Sequence, residues 1–200
     1  MVHLLWRKFI INLNWIILIY KMEFDNSLIK YQKGINFIYV KYNETILIFK
    51  VLSIRIPFGI KDYSYKGKTS YHIQISIDKN NIRLNNLLNL IVNLEKDAKE
   101  KFNNYSLEDK SLNDKQFVSR IYNGNNDPLI RLEFKENTIF KNNLDEVLPL
   151  NNYLNKRIIS SVNFSYNGIY IGNKSYGLSL KINEIVMMDE PKKDETIFSF

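Results

Sequence analysis

Hydrophobic and polar positions divide the chain into β-type segments on either side of one helical stretch. From Thr69 to Ile77, Thr69, Tyr71, Ile73, Ile75 and Ile77 alternate with Ser70, His72, Gln74 and Ser76, the period-two pattern of a half-buried strand. Upstream, residues 35–57 (INFIYVKYNETILIFKVLSIRIP) are rich in β-branched and aromatic side chains, interrupted only at Asn43-Glu44. This predicts two strands in a hairpin, with Ile46, Ile48, Leu52, Ile54 and Ile56 on one face, Arg55 on the other, and a stop at Pro57-Phe58-Gly59. The period then changes. Leu84, Leu87, Leu88, Ile91 and Leu94 recur at helical spacing within residues 81–102, whose last turns (EKDAKEK) read as a solvated face. A polar linker over 103–114 leads to a strand pair at 116–122 and 128–134 around Asn123-Gly124-Asn125-Asn126. Arg120 and Arg131 lie inside these strands. Long side chains there lie over a sheet with their heads in water, and such positions also line nucleic-acid grooves. One helical turn is expected over 144–150, ending at Pro149. Residues 156–186 read as three short strands, with turns at Asn167-Gly168 and Gly172-Asn173.

Both ends differ from this body. Residues 9–20 are uncharged, and as a helix they reach only about 18 Å against the roughly 30 Å of a hydrocarbon core. Residues 1–21 are therefore read as a dispensable extension, or Met22 as the working start. A membrane anchor over residues 4–20 is the alternative, and a membrane partner is disfavoured. Residues 22–187 form the expected domain, and 188–200 a tail ending in Ile197-Phe198-Ser199-Phe200. From Glu184 onward the chain carries five acids and two lysines, a composition that reads as disordered, with the apolar end available for docking.

Composition adds the chemistry. The formal net charge of +7 over 200 residues favours an anionic partner. There is no cysteine, which removes disulfides, thiolate metal sites and cysteine nucleophiles and fits a reducing, intracellular setting. With two histidines there is no His-based metal cluster. The sequence holds no phosphate-cradling glycine loop and no GxSxG elbow, so no catalytic constellation emerges and no cofactor is expected. A metal-dependent nuclease built from scattered acids is the only enzymatic reading left, and the protein is expected not to be an enzyme. The charge is concentrated. Residues 55–83 hold six Lys or Arg against two Asp, and residues 156–183 hold four Lys or Arg and no acid. Both zones interleave cations with aromatic rings, the combination that grips flexible nucleic acid: cations meet phosphates and ring faces accept bases. Arg55, Lys61, Lys66, Lys68, Lys156, Arg157, Lys174 and Lys181 are the candidate phosphate contacts. Tyr63, Tyr65, Tyr166, Tyr170 and Tyr176 are the candidate stacking platforms. Strand parity assigns Phe164 to the core, as it does Tyr71. Tyr166, in phase with Phe164 and Val162, is the weakest of the stackers, whereas Tyr170 opposes Ile169 and Ile171. His72 reads as a plain exposed strand residue.

Four blocks carry a resemblance: IRIPFGI (54–60) with YKGKTSYHIQISID (65–78), DPLIRLEF (127–134), and NGIYIGNKSYGLSLKINEI (167–185). In this order they resemble the single-stranded DNA-binding proteins of large cytoplasmic DNA viruses. In that family an aromatic follows the NGI turn, and a Gly-Lys-aromatic-Gly step precedes the last strand. Here Tyr170 and Lys174-Ser175-Tyr176-Gly177 take those positions, with one extra residue between glycine and lysine. The resemblance covers roughly 45–187 and implies a mainly β fold with one inserted helix, an oligonucleotide-binding (OB) β-barrel. It implies coating of single-stranded DNA in replication or recombination, in the host cytoplasm or nucleus. An acidic tail ending in phenylalanine is similar to the tails by which replicative single-strand binders recruit partners, which makes Phe198 and Phe200 candidate docking residues for replication proteins. Homo-oligomerisation is open. The rival reading is a β-rich structural or interaction protein whose charge reflects Lys-rich coding.

Overall fold

A computed structural model describes residues 26–34, 37–65, 67–106, 115–123, 126–135 and 138–188. The extension 1–21, Lys66, the linker 107–114 and the tail from residue 189 lie outside the described residues, as do the side chains of Tyr65 and Lys68. The strands are β1 (Ile29–Lys33), β2 (Phe37–Tyr42), β3 (Leu47–Ile56), β4 (Lys61–Tyr65), β5 (Lys68–Ser76), β6 (Gln116–Phe117), β7 (Ile121–Tyr122), β8 (Leu129–Phe134), β9 (Ile139–Asn142), β10 (Ile158–Ile171) and β11 (Ser175–Met187). One long helix among the described residues, α1 (Ile82–Ser106), falls between β5 and β6.

Five strands make the body. β3 pairs antiparallel with β10, β10 with β11, and β5 with β8. β8 and β11 join through a parallel contact at Glu133 and Lys181. Cα atoms of β3 and β5 come within 8 Å, so the curved sheet closes on itself. Its interior is filled by alternate positions from every strand: Phe49 and Ile56, Ile73 and Ile75, Ile130 and Leu132, Val162 and Phe164, Leu178 and Leu180, all buried. At about 1.5–3 kcal/mol per fully buried aliphatic or aromatic side chain, this interior dominates the folding free energy.

The helix begins where Asn81 Oδ1 accepts the main-chain N–H groups of Arg83 (3.0 Å) and Leu84 (3.3 Å), a side-chain cap for otherwise orphan donors. It buries Leu87, Leu88, Ile91 and Leu94 of the predicted stripe, leaves Leu84 half-buried, and extends the stripe to Ala98 and Phe102. Phe102 stacks face to face on Tyr176, with centroids 3.5 Å apart.

Three local expectations fail for identifiable reasons. The two strands over 35–57 exist but are not partners. Tyr42–Thr45 closes a tight turn with Asn43 and Glu44 at positive φ, while β2 and β3 lie one after the other along the same edge of β10. Ser53 at φ 52° shifts the β3–β10 register, so the inward face passes from Phe49 and Val51 to Ile54 and Ile56. Such a bulge inverts parity and leaves Ile46, Ile48 and Leu52 exposed. Asn167-Gly168 is not a turn, because β10 continues through it with a bulge that shifts its register against β11. Gly168 has φ 141°, and a Cβ there would lie 2.0 Å from the Ile38 carbonyl oxygen, so glycine is required by the close approach of β2.

The remaining differences are smaller. β7 pairs with β8, but β6 crosses to β11. The expected helical turn at 144–150 appears later, as a short 3-10 turn at Leu150–Tyr153. The polar stretch after Gly59 is strand β4, laddered to β5.

Candidate nucleic-acid interface

Because the barrel interior takes one set of alternate positions, the opposite set turns outward, and the register aligns it in rows. Lys61 on β4 lies across from His72 on β5, His72 from Glu133 on β8, Glu133 from Lys181 on β11, and Lys181 from Ser165 on β10. On the neighbouring positions Tyr63 lies across from Ser70, and Gln74 from Arg131. This outer face therefore carries Lys61, Arg131 and Lys181 with the exposed ring of Tyr63, whose relative exposure is 59%.

The segment before β7 adds a buried cation. Glu95 of the helix, itself buried, accepts the main-chain N–H of Arg120 at 2.6 Å and the Ser119 hydroxyl at 2.8 Å. Arg120, so held, donates Nε to the Leu178 carbonyl at 2.7 Å and Nη1 to Glu133 Oε1 at 2.6 Å. Its guanidinium sits 5.1 Å from the centroid of the Tyr170 ring. Gly177 makes room, since a Cβ there would lie 2.6 Å from the Val118 carbonyl oxygen and 3.1 Å from the Tyr170 ring. Tyr170 is thus fixed at the edge of the face, half-buried, with its position set by an arginine and a glycine.

Two titratable groups at the centre are shifted. Burial pushes the His72 imidazole below its ordinary value and Arg131 adds to this, with Glu133 opposing. Burial works against ionisation of Glu133, but Arg120 and then Lys181 outweigh it and hold the carboxyl below the usual range. Near neutral pH the centre therefore presents a neutral imidazole beside an ionised carboxylate. Arg131 Nε has no hydrogen-bond partner among the described residues.

The sequence-derived candidates separate into groups. Lys61 and Lys181 fall on the central row, where Lys61 also donates to Asn155 Oδ1 at 2.6 Å. Arg55 pairs in register with Ile159, which puts it with the exposed Lys156 and Arg157 where β3 ends and β10 begins. Lys174 sits exposed on the β10–β11 turn, which Lys115 ties down through the Gly172 (2.8 Å) and Asn173 (2.9 Å) carbonyls. Lys66, Phe198 and Phe200 lie outside the described residues, as do the side chains of Tyr65 and Lys68.

Tyr166 and Tyr176 must be withdrawn as stacking platforms. Tyr166 has no exposure at all and faces the interior with Phe164, and burial drives its hydroxyl far above the usual range. Tyr176 is 5% exposed between Phe102 and Phe117. His72, read as a plain exposed residue, is half-buried beside Arg131 and Glu133. Arg120 and Arg131 were visible as cations within strands, but nothing local marks Arg120 as the support of Tyr170.

No family model matches the chain, and no curated protein matches it. Among solved structures, it is similar to the single-stranded DNA-binding protein gp2.5 encoded by bacteriophage T7, with a TM-score of 0.50 and 12% identity over 75% of this chain and 92% of that one. This is an OB-like fold. A second similar structure is the single-stranded DNA-binding protein of bacteriophage Enc34 in complex with single-stranded DNA, with a TM-score of 0.49 and 13% identity over 84% of this chain and 99% of that one.

Tyr63 supplies one local test. Its ring is exposed and holds no part of the core, so Tyr63→Ala is expected to leave the melting temperature unchanged. A base stacked on this ring would predict a loss of about 1–3 kcal/mol in affinity for oligo-dT. Fluorescence anisotropy at fixed salt measures it.

Proposed function

We propose that this protein binds single-stranded DNA across the outer face of its barrel. The observation that carries the reading is the convergence of Lys61, Arg131 and Lys181 with Tyr63 and Tyr170 on that face. Phosphates would meet the cations and bases the rings, giving salt-sensitive binding with little sequence preference and no need of a metal. The T7 protein that shares the fold is itself a single-stranded DNA-binding protein, which supports the same assignment here.

The finer reading follows the resemblance to the DNA-virus family. The protein coats and protects single-stranded DNA during viral-type replication or recombination, inside the host cell, in cytoplasm or nucleus. Phe198 and Phe200 would recruit replication proteins. Competition tests the substrate class. Unlabelled single strand should displace labelled oligo-dT at least about tenfold better than duplex of equal length, because stacking needs unpaired bases. Equal displacement by duplex would make it a general basic DNA binder, and absence of binding would leave a structural or interaction protein. Among the described residues no helix is long and apolar enough to cross a membrane.

A further inference from the structure

Among the outward-facing positions of β4, β5 and β8, Glu133 is the one carboxylate of the described residues, and it stands in the middle of the cationic row. A face meant for polyanions gains nothing from a negative charge at its centre unless that charge has a task. Its two partners hold it unequally. Arg120 binds it at 2.6 Å, with a side chain only 5% exposed and fixed a second time on the Leu178 carbonyl. Lys181 binds the other oxygen at 3.3 Å, with 39% of its side chain exposed.

We propose that Glu133 is a placeholder anion, which holds Lys181 over the face in the free protein and yields it to a DNA phosphate on binding. The inference rests on the single-stranded DNA reading above. A half-exposed lysine–carboxylate pair is a weak bond. The flexible stem and three rotatable donors of lysine allow the ammonium to swing from one anion to another. Arg120, anchored on both sides, stays with Glu133 and keeps supporting Tyr170. The exchange has two consequences. Lys181 is prevented from wandering before DNA arrives. The carboxylate left behind also opposes the bound phosphate, which tempers affinity and favours release.

A double-mutant cycle on oligo-dT binding tests the exchange, using the full chain, Glu133→Gln, Lys181→Gln and the double variant. Glu133→Gln is expected to tighten binding about tenfold when Lys181 is present, and no more than about twofold in the Lys181→Gln background. The dependence of log K on log salt should steepen by about 0.7 in Glu133→Gln, since no carboxylate is left to recapture a cation. Equal gains in both backgrounds, or no gain, would overturn the proposal and leave Glu133 a structural partner of Arg120.

If Glu133→Gln fails to melt cooperatively, the side-chain ammonium resonance of Lys181 in the unaltered protein decides. It should shift and couple to phosphorus when oligo-dT is added. An unmoved resonance, while amides of β5 and β8 do shift, would sink the idea. Failure of the unaltered protein to bind oligo-dT is a different result, which removes the parent reading.

Discussion

Tyr176→Ala is expected to cost about 3–5 kcal/mol of folding stability while leaving the DNA affinity of the folded fraction nearly unchanged. The ring of Tyr176 lies flat on Phe102 of the helix at 3.5 Å and meets the edge of Phe117 on its other side. Truncation would open a cavity where the helix joins β11. The main-chain bond from the Val118 N–H to the Tyr176 carbonyl at 2.8 Å survives the truncation, so the segment that carries Arg120 keeps its place. Chemical denaturation measures the first effect, and anisotropy under native conditions the second. A stable variant unable to bind DNA would return Tyr176 to the interface and contradict the packing described for it.

The second large effect concerns the face itself. Replacing Lys61, Arg131 and Lys181 together by alanine should weaken oligo-dT binding by about a hundredfold, on the order of 1 kcal/mol for each phosphate no longer held, and should flatten the salt dependence. Stability should change little. Lys61 and Lys181 bear half-exposed heads, and Arg131 covers a sheet whose interior is apolar without it. Alanine at Arg55, Lys156 and Arg157, which gather where β3 ends and β10 begins, serves as the comparison. A charge effect spread evenly over the surface would make the two triples equal, whereas a face-directed site makes the first the stronger.

Parts of this arrangement are legible in the residues because the physics behind them is local. Alternation from Thr69 to Ile77 sets the two faces of β5, and spacing from Leu84 to Leu94 sets the buried side of the helix. Parity separates the buried Phe164 from the half-buried Tyr170. The failures occur where a local signal has two uses. Asn-Gly supports a hairpin turn, but glycine at positive φ also permits a bulge, and at Gly168 the approach of β2 selects the bulge. Counting by twos along β3 fails at Ser53, where a non-glycine residue at positive φ makes a bulge against β10.

The site depends most on what a linear reading lacks. Glu133 and Lys181 meet through a parallel contact between strands, with 48 residues separating them along the chain. Arg120 is placed beside Tyr170 by a glutamate 25 positions earlier, on the helix. Long-range pairing, not residue type, converts scattered lysines and tyrosines into one face.

The most direct measurement is a titration of labelled oligo-dT with the full chain at about 50, 100 and 200 mM salt. Binding across the outer face predicts tight binding at the lowest salt, an affinity that falls linearly on a log-log plot with a slope of about −2 to −4, and no effect of EDTA. No binding at about 50 mM salt, or binding indifferent to salt, would contradict the central claim.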